Sequence, residues 1–559
     1  MKKISALLIL LFCFIFASCN FETTPQLRRG QYEVNYETDS LYLVKVNKTN
    51  STISGMNSGC VEDYRMLTVQ ENDSELASNF QINDNPVYKQ YVQSEYFRKL
   101  NQNVYDNLLI SDARAQTNGI TKQVQSNDAT AGQKKKFFLA TDDNSFVEKE
   151  AVCKVVNDVC NVWYVSSSLD SNSNNDFIDG YLTTTTFNNI AAKVETFIKA
   201  EEELCGSHIY TSTRWSNVID PKRKIDVIIY DIFFDAKQGM DGGTYGYHYS
   251  GDLIQQVYDK NGKKTKYTNE TQCIYVDSYF LSQDPLEVYS TLVHEYNHLL
   301  NYITKTIVYG KECSVWFTEM LSMVTEDLMH NILGISSMQT PQGRFPYFIM
   351  CANYGFKKWL SGNSILGPNG DDVLISYANA YIYGAYIGRN FGGPELIHRI
   401  ATNEYVNEEA ITEALKSLNI QQVIDYDEEN NPIMQDVTFS TTLEDEYIIM
   451  FNTSARDITN NQWQVYYTLN NKEPLKWSKN QNIKFDGFSI EGFSIQDDNG
   501  TATTVIRASD FYNKSAKSKS NARPLYPYGF DINLIKTERT SYCVLDVCLN
   551  NSINYFLHY

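Results

Sequence analysis

Two histidines four residues apart, with a glutamate directly after the first, have the clearest chemical meaning in this chain. They are His294, Glu295 and His298, within the segment His-Glu-Tyr-Asn-His. On a helix, side chains at this spacing project from one face, so both imidazoles can bind one metal ion. The glutamate then lies beside a water molecule on that metal and can act as a general base. The spacing therefore predicts a catalytic zinc site.

A third metal ligand has to come from elsewhere, because a catalytic zinc ion takes three protein ligands and keeps one position for water. Glu319 follows His298 by 21 positions, which lets one helix end and a second return antiparallel. Glu312, in the turn between them, is a weaker candidate. Glu326 lies seven residues after Glu319, and Ser322 lies three residues after it. Both are on the same helical face as Glu319, so either can orient a ligand through a hydrogen bond.

The zinc motif is expected to lie on a helix for reasons that do not depend on the motif. Asp284 is a good amino-terminal cap, Pro285 suits the first helical position, and Glu287 places a negative charge in the first turn. An apolar stripe then recurs at helical spacing. Further helices are predicted at about 187–204, 314–332 and 376–392.

Short apolar runs predict strands around residues 137–140, 159–165, 225–230 and 273–276. We expect the last of these to be an edge strand, along which an extended substrate could pair through its backbone. The fold class is therefore α+β, with a mixed sheet and a helical lobe. Composition divides the chain into a signal peptide (1–18), a polar, β-containing amino-terminal region and linker (19–136), a catalytic domain (137–425) and an all-β carboxy-terminal domain (426–559).

The first residues have the features of a lipoprotein signal. Three residues, Met-Lys-Lys, precede an apolar run from Ile4 to Ala17, and Cys19 stands where bacterial lipoproteins carry their lipid-modified cysteine. We expect a membrane anchor through Cys19 at the cell envelope, and Asn20 after it favours the outer membrane or cell surface. An ordinary cleaved signal with an unrelated cysteine is the alternative.

Charge and cysteine content narrow the partners and the covalent framework. The formal net charge of −19 excludes a nucleic-acid partner, which would require basic patches. The pairs Cys153 and Cys160, and Cys543 and Cys548, are close enough in sequence to be candidate disulfides.

The motif and the segment Trp316-Phe317-Thr318-Glu319-Met320-Leu321-Ser322-Met323 together resemble the signature of gluzincins, which include thermolysin and the aminopeptidase families. The closer resemblance is to the hyicolysin-type bacterial peptidases, and it covers roughly residues 140 to 410. Met320 is a departure, because relatives more often carry glycine there, and its bulk could crowd the neighbouring site.

The resemblance implies a thermolysin-like zincin domain that binds Zn²⁺ through His294, His298 and Glu319 and cleaves proteins or peptides with Glu295 as the base. It also implies a tyrosine that donates to the developing oxyanion. Tyr377 matches best, Tyr381 is the runner-up, and His398 is a further candidate.

Two other functions are open at this point. One is a non-catalytic surface-binding lipoprotein on a peptidase scaffold, and the other is an exopeptidase of aminopeptidase type.

Overall fold

The computed structural model describes most of the predicted catalytic domain and separate segments near both ends of the chain. The central part spans 123–166 and 176–443, except for 143–144, 213, 241–242, 257–260, 262–266, 337–338, 345–347, 349–350, 362–372, 428 and 430. The other segments are 30–34, 41–54, 60–65, 462–463, 477, 479–485, 488–489, 494–496, 502–505, 512–513, 524–536, 543–548 and 554–558.

A six-stranded mixed sheet forms one layer of the central part. Its strands are β1 (Lys134–Ala140), β2 (Phe146–Val156), β3 (Cys160–Tyr164), β4 (Ile225–Tyr230), β5 (Gly246–Tyr247) and β6 (Cys273–Asp277), in the spatial order β1-β2-β3-β4-β6-β5. Strands β3, β4 and β6 run parallel and every residue in them is buried, as expected for strands covered on both faces.

The expectation that residues 273–276 form an edge strand was wrong. Strand β6 lies inside the sheet, with β4 on one side and the short antiparallel strand β5 on the other. The run 246–247 was too short for its pairing to be recognised from hydrophobic pattern. It nevertheless covers β6, and β5 forms one of the two edges of this sheet.

Helices pack beside the sheet and form the predicted helical lobe. They are α1 (Asp176–Tyr181), α2 (Thr184–Cys205), α3 (Ser278–Gln283), α4 (Pro285–Asn301), α5 (Val315–Leu333), α6 (Val373–Phe391), α7 (Gly393–Thr402) and α8 (Asn407–Ser417). A π-helical stretch, Tyr302–Val308, follows α4, and short 3₁₀ turns lie at Ser250–Leu253, Pro341–Arg344 and Ala352–Tyr354. The described residues thus have a mixed α+β architecture compatible with a zincin-like domain.

The start of α4 confirms the capping argument. The Asp284 side chain accepts a hydrogen bond from the backbone N–H of Glu287, and Pro285 is the first helical residue. The helix then packs against α2, α5 and β6, so residues 288–301 are all buried. The cap sets where the helix begins, and burial of every later turn holds it in place.

Strands from the two ends of the chain pair with each other. Gly30–Val34 and Cys60–Arg65 lie on either side of Cys543–Cys548, while Leu41–Val46 lies between Phe530–Lys536 and Asn554–His558. A hairpin joins β7 (Gln421–Tyr426) to β8 (Pro432–Asp436). The domain boundaries and an all-β carboxy-terminal domain remain predictions. Residues 1–18 and Cys19 lie outside the described residues, and no described helix has the length and apolar character needed to cross a bilayer.

Neither predicted disulfide fits the structure. In the pairing of β2 with β3, Cys153 lies opposite Trp163, which is three residues beyond Cys160. Both Cys153 and Cys160 are buried free thiols. Cys543 and Cys548 lie on one strand, where five residues of extended chain separate two Cα atoms by about 16 Å. A disulfide requires less than about 7 Å.

One fully buried carboxyl group lies on α2, the helix that packs against α4. Burial raises the pKa of Glu201 well above its usual value, and the neighbouring carboxylate of Glu202 adds to the effect. Above the ordinary pKa of a glutamate, the unfolded chain therefore loses a proton that the folded protein keeps. Stability then falls as pH rises through this window.

We predict that Glu201→Gln removes this pH dependence. As pH rises from 5 to 8, the unfolding free energy of the wild type should fall relative to that of the variant, by at most about 1.4 kcal/mol per pH unit. Thermal unfolding at several pH values measures it, with Glu195→Gln, an exposed position on the same helix, as the control. Parallel curves for wild type and Glu201→Gln would contradict the assignment.

Candidate metal centre

The centre is built where α4 and α5 pack against each other. Residues His294 and His298 lie on successive turns of α4, and Glu319 lies in the second turn of α5. All three side chains are buried, with His298 the most exposed at 8%. The antiparallel return predicted from sequence separation thus brings the third residue to the first two.

The atoms that would bind a metal converge on one point. His294 Nε2 lies 3.1 Å from His298 Nε2 and 3.1 Å from Glu319 Oε2, and His298 Nε2 lies 3.5 Å from the same oxygen. Zinc bonds of about 2.0–2.1 Å at the tetrahedral angle would separate ligand atoms by about 3.3 Å. The three atoms therefore fit a tetrahedral ion that keeps its fourth position for water.

Two glutamates, Glu295 and Glu319, lie close enough to the histidines to complete the ligand set, and geometry favours Glu319. The ligand atoms of His294, Glu295 and His298 also lie within 4.8 Å of one another. Glu319 Oε2, however, lies 3.1 Å from His294 Nε2 and 3.5 Å from His298 Nε2. Its second oxygen is buried without a hydrogen-bond partner, a state that a cation would relieve. The weaker candidate, Glu312, is exposed and joins no such cluster among the described residues.

Each histidine is also held at its other ring nitrogen. The carboxylate of Glu326 accepts from His294 Nδ1 at 2.7 Å, and Ser322 Oγ lies 3.2 Å from His298 Nδ1. Both residues that the sequence offered as orienting groups take that role. Ser290, which the sequence analysis missed, donates to Glu326 at 2.6 Å. It precedes His294 by one helical turn, which was the available signal.

The electrostatics of the site follow from this packing. Burial opposes a charge on His294, but Glu326 and Glu319 outweigh it and raise the pKa of His294 to about 10. Burial raises the pKa of the Glu319 carboxyl. The two histidines outweigh burial and hold this pKa well below the usual range. The Glu319 carboxylate therefore stays ionised beside the two histidines, and metal binding would displace the proton that the carboxylates hold on His294.

The edge of the sheet formed by β5 lies directly against α4. A Cβ atom at Gly246 would lie 2.8 Å from the backbone oxygen of Tyr275, 2.7 Å from Thr291 Cγ2 and 3.3 Å from Glu295 Cγ. Only glycine leaves room for this approach, so β5 can run beside the residue proposed as the base. The sequence pattern around Gly246 did not predict this role.

The predicted oxyanion donors lie in different surroundings. The Tyr377 ring is buried against the Arg344 guanidinium, 4.8 Å from the ring centroid, and its centroid is 5.0 Å from that of Trp359. The hydroxyl of Tyr381 donates to Asp327 at 2.9 Å. His398 Nδ1 is bonded to the Leu204 carbonyl at 2.8 Å. All three are therefore engaged in internal contacts, and the role of Tyr377 stays a prediction.

Met320, the departure from the family pattern, packs against α6. Its side chain is fully buried against α6, where a Cβ at Gly384 would lie 2.7 Å from Met320 Cγ. A glycine on the facing helix thus makes the space that methionine fills. The effect of Met320 on the neighbouring site stays a prediction.

Comparison with known proteins supports a metallopeptidase. No family model matches the chain. A neutral metalloprotease, ShpI, from Staphylococcus hyicus is 27% identical over 210 aligned residues, which cover 35% of this chain and 42% of that protein. The aligned segment thus spans less than half of that relative. Together with the His-Glu-His cluster, this distant similarity supports a metal-dependent peptidase.

The ligand assignment separates two glutamate variants. We predict that Glu319→Ala loses most of the bound zinc, because the remaining two imidazoles leave the ion short of a charged ligand. Glu312→Ala should bind as wild type does. Metal content after dialysis against a weak chelator measures both, and retention of zinc by Glu319→Ala would reassign the third ligand.

Proposed function

We propose that this protein is a zinc-dependent endopeptidase that cleaves extracytoplasmic proteins. The observation that supports the proposal most directly is the convergence of His294, His298 and Glu319 on one point within 3.5 Å, with Glu295 beside them. A purely structural zinc site would close with a fourth protein ligand and would need no such neighbouring base.

The residues of this chain divide the chemistry between them. His294, His298 and Glu319 would hold the ion, which when bound acts as a Lewis acid toward its water and the peptide carbonyl. The Glu295 carboxylate takes a proton from the attacking water and returns it to the leaving amine. The Tyr377 hydroxyl is proposed to donate a hydrogen bond to the developing oxyanion.

The substrate is proposed to bind as an extended strand along β5. Among the described strands, only β6 pairs with β5, and its opposite side carries no strand of this sheet. Because Gly246 brings β5 against Glu295, a peptide added at this edge would pass close to the base. Backbone pairing of this kind binds many sequences, while side-chain pockets would set preference.

The proposed location is the cell envelope. The apolar run from Ile4 to Ala17 and Cys19 after it support lipid anchoring at the outer membrane or cell surface. An anchored peptidase would meet folded and unfolded proteins outside the cytoplasm, and protein substrates are the partners proposed here.

The decisive variant is Glu295→Gln, which keeps the shape of the side chain but removes its basicity. We predict that cleavage of an unstructured protein falls by about 10²–10⁴-fold, while bound zinc stays at the wild-type level because Glu295 is not a ligand. Glu312→Gln, with the same change at an exposed position, should remain active. Equal activity of Glu295→Gln and wild type would refute the mechanism, and a metal-free wild type would refute the site.

The role proposed for Tyr377 predicts a kinetic difference between two tyrosines. Tyr377→Phe should lower kcat about 10²–10³-fold with little change in KM, because only the transition state would lose its donor. Tyr381→Phe should act mainly on stability, since it removes a hydrogen bond to Asp327. Steady-state kinetics and thermal unfolding of both variants measure this, and an unchanged kcat in Tyr377→Phe would remove it from the mechanism.

A further inference from the structure

We propose that a chain of buried hydrogen bonds linking α4 and α5 fixes the tautomer of His298, so that Nε2 faces the metal centre without a proton. Ser322, Asn297 and Thr325 are the positioning residues of this chain. The inference rests on the zinc site of the proposed function and assigns a role to Asn297, an unassigned position within the His-Glu-Tyr-Asn-His segment.

The chain consists of four contacts in sequence. His298 Nδ1 lies 3.2 Å from Ser322 Oγ, and Ser322 Oγ donates to Asn297 Oδ1 at 3.2 Å. Asn297 Nδ2 donates to Thr325 Oγ1 at 3.1 Å, and that hydroxyl donates to the backbone carbonyl of Leu321 at 2.8 Å. The side chains of Ser322, Asn297 and Thr325 are at most 1% exposed, so water does not offer them alternative partners.

The backbone carbonyl of Leu321, at the end of the chain farthest from His298, determines which group donates in each hydrogen bond. A backbone carbonyl can only accept, so Thr325 gives its single proton to Leu321 and must accept from Asn297. The amide therefore presents Nδ2 to Thr325 and Oδ1 to Ser322. Ser322 gives its own proton to Oδ1 and can only accept from His298. The proton of a neutral His298 then belongs on Nδ1, which leaves the lone pair of Nε2 for a metal.

The opposite orientation of the amide does not satisfy the same groups. It would place Oδ1 against Thr325, whose one proton would then be shared between two acceptors, and Nδ2 against Ser322. The thiol of Cys205 also lies 3.6 Å from Thr325 Oγ1. The Leu321 carbonyl thus determines the tautomer of a side chain several contacts away.

The two metal ligands are consequently oriented by different chemistry. A carboxylate, Glu326, holds His294 directly. Among the described residues, the partner of His298 Nδ1 is the neutral hydroxyl of Ser322, and that hydroxyl accepts reliably while the rest of the chain is intact. Changing the distal member, Thr325, should therefore affect metal binding even though it contacts no ligand residue in the chain.

Zinc affinity, measured by competition with a chromogenic chelator, tests the chain in the full-length protein. We expect Ser322→Ala to weaken zinc binding about 10–100-fold and Thr325→Val to weaken it by a smaller but measurable factor. Thr325→Ser, which keeps the hydroxyl, should bind zinc as wild type does. The matched control is Thr318→Ala, a hydroxyl on the same helix bonded only to the Val315 carbonyl. Wild-type affinity in both Ser322→Ala and Thr325→Val would overturn the proposal.

A spectroscopic measurement does not need the metal. Long-range proton–nitrogen correlation spectra of metal-free protein with ¹⁵N-labelled histidine, recorded at pH values where the His298 ring is neutral, report which nitrogen carries the proton. His298→Ala identifies the signal. A proton on Nδ1 is expected, and a proton on Nε2 would overturn the proposal whatever the zinc affinities. Nδ1 protonation in a protein that binds no zinc would support the chain and refute the proposed function.

Discussion

The antiparallel packing of α4 against α5 is the constraint on which the site depends. It places two imidazoles and a carboxylate within 3.5 Å of one another in the interior, where an uncompensated charge costs several kcal/mol. The surrounding elements hold these helices in register: the edge of the sheet contacts α4 at Gly246, and α6 contacts α5 through Gly384. A shift of one helix along the other would separate the ligand atoms.

A buried ion pair reinforces this register next to the ligands. Arg389 on α6 lies 2.9 Å from Asp327 on α5, and Tyr381 and Gln342 also donate to that carboxylate. Asp327 directly follows Glu326, the residue that holds His294. Because removing one partner of a buried ion pair is strongly destabilising, the network fixes the segment of α5 that orients the first ligand. Tyr381, which the sequence offered as a candidate catalytic residue, belongs to this network around Asp327.

Local signals predicted the elements well and the long-range pairings less well. The strand at Ile225–Tyr230 and the start of α4 at Pro285 agree with the structure, since each is marked by hydrophobic pattern or by a capping residue. The edge position of residues 273–276 was wrong because sheet order depends on a two-residue strand with little pattern of its own. The expected disulfides failed for a similar reason, since closeness in sequence says nothing about register.

The sequence by itself determined the chemistry of the site: two imidazoles on one helical face, a glutamate beside them, and a further carboxylate at a distance that a helical return can bridge. These follow from residue type and the period of the helix. Tertiary structure alone decided which carboxylate completes the set, that Glu326 and Ser322 hold different ligands, and that β5 is the edge beside Glu295. Those choices depend on the relative register of helices and strands, which is set by packing across the whole core.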